Sequence, residues 1–167
     1  MRYMTGFNII LFLMFFFQAC ANNSEIKSKS QKDEIKIDSS KVEVEKKKCD
    51  TELVLRIEQS ISNLSQNDIL EFINNINSDC KNNVEFIEYY NEVLFEVLEK
   101  YPAEFCNCMK SVDRNQQELI CEELKEPVND GINLENVKKA VENSGCQAET
   151  KGMILESIKV ALDKYKN

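Results

Sequence analysis

Residues 84–101 have the sequence VEFIEYYNEVLFEVLEKY, which contains the clearest helical repeat in the chain. The apolar residues recur every three or four positions, and this spacing predicts a long helix with one buried face. They are Phe86, Ile87, Tyr90, Val93, Leu94, Val97, Leu98 and Tyr101. Pro102 follows and marks either the end of this helix or the first turn of a short continuation through Phe105 and Met109.

Helical periodicity continues on both sides of this stretch. Upstream, two shorter repeats flank the cap signal Ser65-Gln66-Asn67-Asp68 and predict a helical hairpin. Downstream, Asp113 and Asn133 are predicted N-caps, and Gly145 is the expected C-terminal glycine before a last helix. The apolar positions of these flanking helices are Leu53, Ile57, Ile61, Leu64, Ile69, Phe72, Ile73, Ile76, Leu119, Ile120, Leu124, Leu134, Val137, Val141, Ile154, Leu155, Ile158, Ala161, Leu162 and Tyr165. We predict an all-α domain of six or seven helices over residues 49–167, with bundle and orthogonal packing both open.

The composition favours helices and disfavours several classes of function. Two Pro and four Gly leave long stretches without helix breakers, and the absence of His removes the commonest neutral-pH base and metal ligand. Residues 49–167 carry twelve Lys and Arg against twenty-three Asp and Glu, a charge that repels nucleic acid and anionic lipid. We expect no nucleic-acid partner, no cofactor and no catalysis. A hydrolase that uses two carboxylates needs no sequence motif and stays an alternative.

The beginning of the chain has the pattern of an export signal. Arg2 precedes an unbroken apolar run over residues 9–17, which is too short for a transmembrane helix and typical of a signal peptide. The run ends at Phe17-Gln18-Ala19-Cys20, and the last two of these residues resemble the lipobox of bacterial lipoproteins. The first two differ from the residues that are commoner in that box.

The resemblance implies how the chain matures. Residues 1–19 are then a signal peptide that is removed, and Cys20 becomes the lipidated first residue, which three acyl chains hold in the membrane. Ala21 implies the outer membrane if the cell has one, with either a periplasmic or a surface orientation. Ordinary signal cleavage after Ala21 is the alternative, because Ala19-Cys20-Ala21 is itself an A-x-A site.

Residues 20–48 are predicted to form the lipidated N-terminus and a flexible linker. They are rich in Ser, Lys, Glu and Asp and contain no aromatic residue, so they cannot bury enough apolar surface to order themselves. A soft chain of this length has an end-to-end distance of about 30 Å. The alternating segments Ile35-Lys36-Ile37-Asp38 and Val42-Glu43-Val44-Glu45 permit a small hairpin instead, although an isolated two-stranded ribbon is marginal in water.

Six cysteines remain in the domain if Cys20 carries lipid, and an even number in an exported chain predicts three disulfides. Antiparallel packing brings the two ends of the predicted helical hairpin together, so we predict that Cys49 pairs with Cys80 there. We also predict the pairs Cys106–Cys121 and Cys108–Cys146. A thiolate zinc site is the rival interpretation, but a C-x-C pair without histidine or a C-x-x-C partner does not favour it, and we expect no metal.

Five glutamates share one face of the long helix that the apolar repeat predicts. They are Glu85, Glu88, Glu92, Glu96 and Glu99, and like charges four positions apart repel each other. A solvated face opposite the core is the favoured interpretation, and a docking face for a basic protein or a weak divalent-cation site is the alternative. An EF-hand is not supported, since Asn129-Asp130-Gly131 lacks the flanking ligands.

These observations predict a non-catalytic interaction or structural module of the cell envelope, held at the membrane by its lipid. The alternative is an immunity or inhibitor protein that neutralises a basic toxin or enzyme through its acidic face. The sequence leaves the oligomeric state open.

Overall fold

A computed structural model describes residues 48–165 and has the all-α fold that the sequence predicts. This part of the chain contains seven α-helices, one 3₁₀ helix (Ser78–Asn82) and no strand. The α-helices are α1 (Thr51–Gln59), α2 (Gln66–Ile73), α3 (Val84–Lys100), α4 (Pro102–Ser111), α5 (Arg114–Lys125), α6 (Leu134–Asn143) and α7 (Ala148–Tyr165). The predicted signal peptide, the lipidation site Cys20 and the linker through residue 47, with its alternative hairpin, lie outside the described residues. None of the helices within 48–165 combines the length and the hydropathy that crossing a bilayer requires.

Helix α3 lies at the centre of the domain and packs against α1, α4, α5, α6 and the 3₁₀ helix. Its predicted apolar stripe is buried, except that Ile87 and Tyr101 are half-buried. Phe95, which lies outside that stripe, is buried as well. A helix that is surrounded on several sides buries a wider face than a helix at a surface does. Pro102 occupies the first position of α4, so it both follows the end of α3 and opens the next helix.

Side-chain caps begin three helices at the positions that the sequence predicts. Ser65 and Asp68 form a reciprocal capping box at the start of α2. Asp113 caps α5 by accepting from the backbone N–H of Gln116 at 2.9 Å. Asn133 caps α6 in the same way. These caps supply acceptors for N–H groups that have no partner within their own helix.

The end of α6 differs from the prediction. Gly145 was expected in the left-handed conformation of a C-terminal glycine, but none of the described glycines has a positive φ. Instead, Lys151 Nζ donates to the main-chain oxygens of Glu142 and Ser144, both at 2.9 Å. The Ser144 hydroxyl donates to the carbonyl oxygen of Val141 at 2.7 Å. A cation from α7 thus satisfies the last carbonyls of α6 and ties the two helices together.

Two disulfides link distant parts of the domain. The bond between Cys49 and Cys80 confirms the hairpin pairing, with a Cα–Cα distance of 5.5 Å. The second bond joins Cys106 to Cys146, with a Cα–Cα distance of 5.6 Å. Cys108 and Cys121 are buried free thiols. The predicted pairs Cys106–Cys121 and Cys108–Cys146, and with them the third disulfide, are therefore wrong. Two disulfides are still compatible with an oxidising, exported location.

Helix geometry explains why the second and third pairings fail. Cys106 and Cys108 are two positions apart on α4, and two steps along an α-helix turn a side chain through about 200°. They therefore point to opposite sides, and Cys108 Sγ donates to the carbonyl oxygen of Gln66, at the start of α2, at 3.4 Å. Cys121 lies on α5 next to Ser157 of α7. Burial raises the pKa of Cys108 to about 11, so its thiol stays protonated at neutral pH.

Asn75 holds the start of the domain in place. This residue is 2% exposed, and its side chain accepts from the Asp50 N–H and donates to the Asp50 carbonyl, both at 2.9 Å. The N–H of Cys49 donates to the main-chain oxygen of Asn75 at 2.7 Å. Cys49 has a φ of 56°, a left-handed conformation that costs a non-glycine residue about 1–2 kcal/mol. The disulfide and these hydrogen bonds hold Cys49 in this conformation, so the position at which the chain enters the domain is fixed.

Candidate binding surface

The five glutamates of α3 are not equivalent in the structure. Glu96 forms an ion pair with Lys100 at 3.2 Å, and Glu92 Oε1 accepts from Asn129 Nδ2 at 2.9 Å. The other three glutamates are Glu85, Glu88 and Glu99. None of these three has a basic side chain within 4 Å among the described residues. The predicted acidic face is thus partly engaged within the domain, and Glu88 is the member that lies beside a cavity.

The cavity is an open groove of about 950 Å³, bordered by α3, the α5–α6 loop, the start of α6 and the end of α7. Its apolar lining residues are Pro127, Val128, Ile132, Leu134, Leu162 and Tyr165. Its acidic lining residues are Glu88, Glu126, Asp130 and Glu135. Val128 is 44% exposed and Tyr165 is 52% exposed, so these two apolar side chains are accessible to a partner, whereas Pro127 and Leu134 are buried. We refer to this feature as the acidic groove.

The carboxylates of the acidic groove carry net negative charge. Glu126 is paired with Lys164, whose ammonium group also lies 5.4 Å from the centre of the Tyr165 ring. The other three acids, Glu88, Asp130 and Glu135, have no ion-pair partner within residues 48–165. Exposed carboxylates close to apolar side chains favour a cationic, amphipathic occupant.

A buried asparagine fixes the loop that forms one wall of the acidic groove. Asn91 is completely buried in the middle of α3. Its Nδ2 donates to the carbonyl oxygen of Glu123 at 2.8 Å, and its Oδ1 accepts from the N–H of Val128 at 3.2 Å. A single side chain therefore joins α3 to the end of α5 and to the first residues of the loop. Because a buried amide must be hydrogen-bonded, its position restricts where the loop can lie.

The tip of the loop is held by a second set of contacts. Asn129 Nδ2 donates to Glu92, and Asn129 Oδ1 accepts from the N–H of Gly131 at 2.8 Å, which makes an Asx turn. A Cβ at position 131 would lie 3.0 Å from Asn129 Oδ1, so a larger residue there would require the Asn129 side chain to shift by a few tenths of an ångström. The N–H of Ile132 donates to the carbonyl oxygen of Asn129 at 3.1 Å. The wall of the groove is therefore ordered by contacts within the domain itself.

Two buried titratable groups lie in the core and do not line the acidic groove. Burial raises the pKa of Glu123, which is 9% exposed, while a hydrogen bond from Asn91 acts in the opposite direction. Burial also raises the pKa of Tyr90 well above its ordinary value. The Tyr90 ring stacks on Phe72 with centroids 4.5 Å apart, and its hydroxyl has no hydrogen-bond partner among the described residues. No group of three or more Cys, Asp or Glu side chains in this part of the chain is arranged to hold a metal ion.

Sequence reasoning missed most of the residues that form the groove. The α5–α6 loop contains no motif, and Tyr165 was assigned to the same helical face as the core residues Ile158 and Ala161. Asn91 is the one residue of this wall that the sequence marks, because an asparagine among apolar neighbours in a central helix must find hydrogen-bond partners when it is buried. Its partners lie 32 and 37 positions away along the chain, which no local pattern shows.

No family model, no curated protein and no solved structure matches this chain.

Proposed function

We propose that this chain is an envelope-anchored bacterial lipoprotein whose helical domain is a non-catalytic protein-interaction module. The anchor is inferred from the signal-peptide pattern that ends at Phe17-Gln18-Ala19-Cys20 and from the polar linker that follows it. The two disulfides of the domain support an oxidising compartment. Ala21 supports the outer membrane as the destination where the cell has one.

The acidic groove is the observation that carries the interaction role. An acidic helix face alone favours a solvated surface, because charged side chains on the outside of a helix need no partner. Here Glu88 lines the acidic groove, in which the apolar side chains of Val128 and Tyr165 are exposed. Apolar surface with a polar rim is the typical composition of a protein-binding site. The groove therefore favours docking over the solvated-face interpretation.

Affinity capture from bacterial envelopes tests this proposal. The lipidated wild-type protein is compared with a groove variant that carries Glu88→Lys and Glu135→Lys. A control variant carries Glu85→Lys and Glu99→Lys, which change the net charge equally on exposed positions of α3. We expect the groove variant to lose its partner and the control variant to retain it. If wild-type protein enriches nothing over a lipid-anchored unrelated domain, the interaction module is refuted.

An inhibitor of a basic toxin or enzyme is the second candidate. The same groove favours it, because unpaired carboxylates around an apolar surface can cover a cationic active site. A gene for a secreted basic toxin beside the gene for this chain would favour the inhibitor, provided that this chain also protects cells from that toxin. Partners among envelope assembly proteins would favour the first candidate.

A further inference from the structure

We infer that the acidic groove binds a basic amphipathic helix of a partner protein. Apolar side chains of that helix enter the groove against Val128, Leu162 and Tyr165, and its Lys and Arg side chains reach Glu88, Asp130 and Glu135. This inference rests on the proposed function and adds the chemistry of the partner and the site that receives it.

The shape of the surface favours an elongated occupant. A second cavity, of about 350 Å³, lies between α6 and α7 and shares Glu135 and Leu162 with the acidic groove. The two cavities therefore lie next to each other along α6 and α7. A helix that places apolar side chains at every third or fourth position reaches both cavities, whereas a compact small molecule fills one cavity only.

The charges that line the two cavities favour one composition and one direction of the occupant. The acidic groove has three unpaired carboxylates, while the second cavity carries Lys138 and Lys159 beside Glu156 and Asp163. The cationic side chains of the partner helix therefore belong at the end near Glu88, and its other end meets mixed charges. Nucleic acid and anionic lipid are repelled by the same carboxylates, so a basic protein segment fits better than either of them.

The groove is also organised before a partner arrives. Asn91 holds Val128, and Glu92 holds Asn129, so the loop does not have to be ordered on binding. A binding surface that is already ordered loses less conformational entropy when its partner docks. The two polar residues of α3 that serve this purpose are positioning residues and are not expected to touch the partner.

A defined peptide tests the chemistry of the site. The probe is an 18-residue fluorescent amphipathic peptide of Lys and Leu, and its acidic counterpart has Glu in place of every Lys. Binding to the mature chain with Cys20→Ser, which is made without lipid, is measured by fluorescence anisotropy at moderate salt. A new groove variant, used in this assay, removes the three unpaired carboxylates by Glu88→Gln, Asp130→Asn and Glu135→Gln. A new control variant removes three exposed carboxylates elsewhere by Glu85→Gln, Glu99→Gln and Glu104→Gln.

We expect the basic peptide to bind about tenfold more weakly to the groove variant, because that variant loses three exposed ion pairs, each of which contributes modestly to the affinity. The control variant should change the affinity by less than about threefold, and the acidic peptide should not bind. Equal losses in the two variants would show attraction to net charge alone and would overturn the inference. Binding of the acidic peptide as tight as that of the basic one would overturn it as well.

Photo-crosslinking in cells separates failure of this inference from failure of the proposed function. A photoreactive residue is placed in the lipidated full chain at Val128 or Tyr165 in the groove, or at Leu55 or Val84, which are exposed apolar positions outside it. Crosslinks from the groove positions to a basic helix of another protein support the inference. Crosslinks only from Leu55 or Val84 overturn it and leave the interaction role standing, and crosslinks between two copies at Val128 show a dimer interface and overturn it too. Absence of crosslinks from all four positions refutes both proposals.

Discussion

Replacement of Asn91 by Ala is expected to destabilise the domain and to loosen the wall of the acidic groove. The substitution removes the acceptor of the Val128 N–H and the donor to the Glu123 carbonyl. The carbonyl of Glu123 keeps a second partner, the N–H of Glu126 at 3.3 Å, so the Val128 N–H is the group that is left without a partner.

The expected loss in the free energy of unfolding is about 2 kcal/mol. Each lost hydrogen bond contributes about 1 kcal/mol, and a small cavity at a completely buried site adds a similar amount. The higher helix propensity of alanine returns about 0.6 kcal/mol. Asn136→Ala is the control, because Asn136 is an exposed asparagine in the first turn of α6 and its replacement by alanine removes no buried contact.

Urea denaturation followed by far-UV circular dichroism measures the stability of both variants. Hydrogen exchange of the amides from Val128 to Gly131 measures the order of the loop. We expect Asn91→Ala to lower the urea midpoint and to speed exchange in the loop, while Asn136→Ala leaves both close to wild type. If Asn91→Ala is as stable as the control, or if exchange at Val128 is unchanged, Asn91 does not position this loop.

Three further outcomes follow from buried groups. Tyr90→Phe removes a buried hydroxyl without a partner and should raise the free energy of unfolding by about 1 kcal/mol in the same urea assay. Tyr101→Phe removes two hydrogen bonds to the α1–α2 loop and should lower it by about 1–2 kcal/mol. Equal effects of the two substitutions would show that the Tyr90 hydroxyl does have a partner. Alkylation without reductant should label Cys108 and Cys121 only after unfolding, and peptide mapping that finds neither labelled would indicate a third disulfide. Burial raises the pKa of Glu123 above its usual value of 4.5. The protonated carboxyl of Glu123 therefore stabilises the fold fully below pH 4.5, and this contribution is lost as the pH rises through the higher pKa of the folded state. Glu123→Gln should therefore reduce the fall in stability with rising pH in urea titrations, and an unchanged pH profile would show that Glu123 is not the group responsible.

Local patterns in the sequence were sufficient for the helices of this domain. The caps at Ser65, Asp113 and Asn133 and the stripe of α3 depend on neighbours within one or two turns, and the structure confirms them. The Cys49–Cys80 bond was also predictable, because a short hairpin fixes where its two ends lie. The caps and the stripe depend on short separations along the chain, and the disulfide, which spans 31 residues, follows from the hairpin that those local patterns predict.

Features that depend on the relative rotation of distant helices were not predictable. The rotation of α4 about its axis decides whether Cys106 or Cys108 contacts Cys146. The even number and the spacing of the cysteines carry no information about that rotation. The cap that Lys151 supplies to α6 requires the packed position of α7. The acidic face was found because it repeats along a single helix. The groove beside that face was missed because three separate segments form it.

The intact mass of the mature protein, isolated from bacterial membranes, tests the envelope anchor most directly. We expect a chain that begins at Cys20 and carries a thioether-linked diacylglycerol and an N-linked acyl group, since this is the product that the lipobox-like Ala19-Cys20 implies. A mass that corresponds to an unmodified chain beginning at Asn22 would show ordinary cleavage after Ala21 and would contradict the lipoprotein proposal.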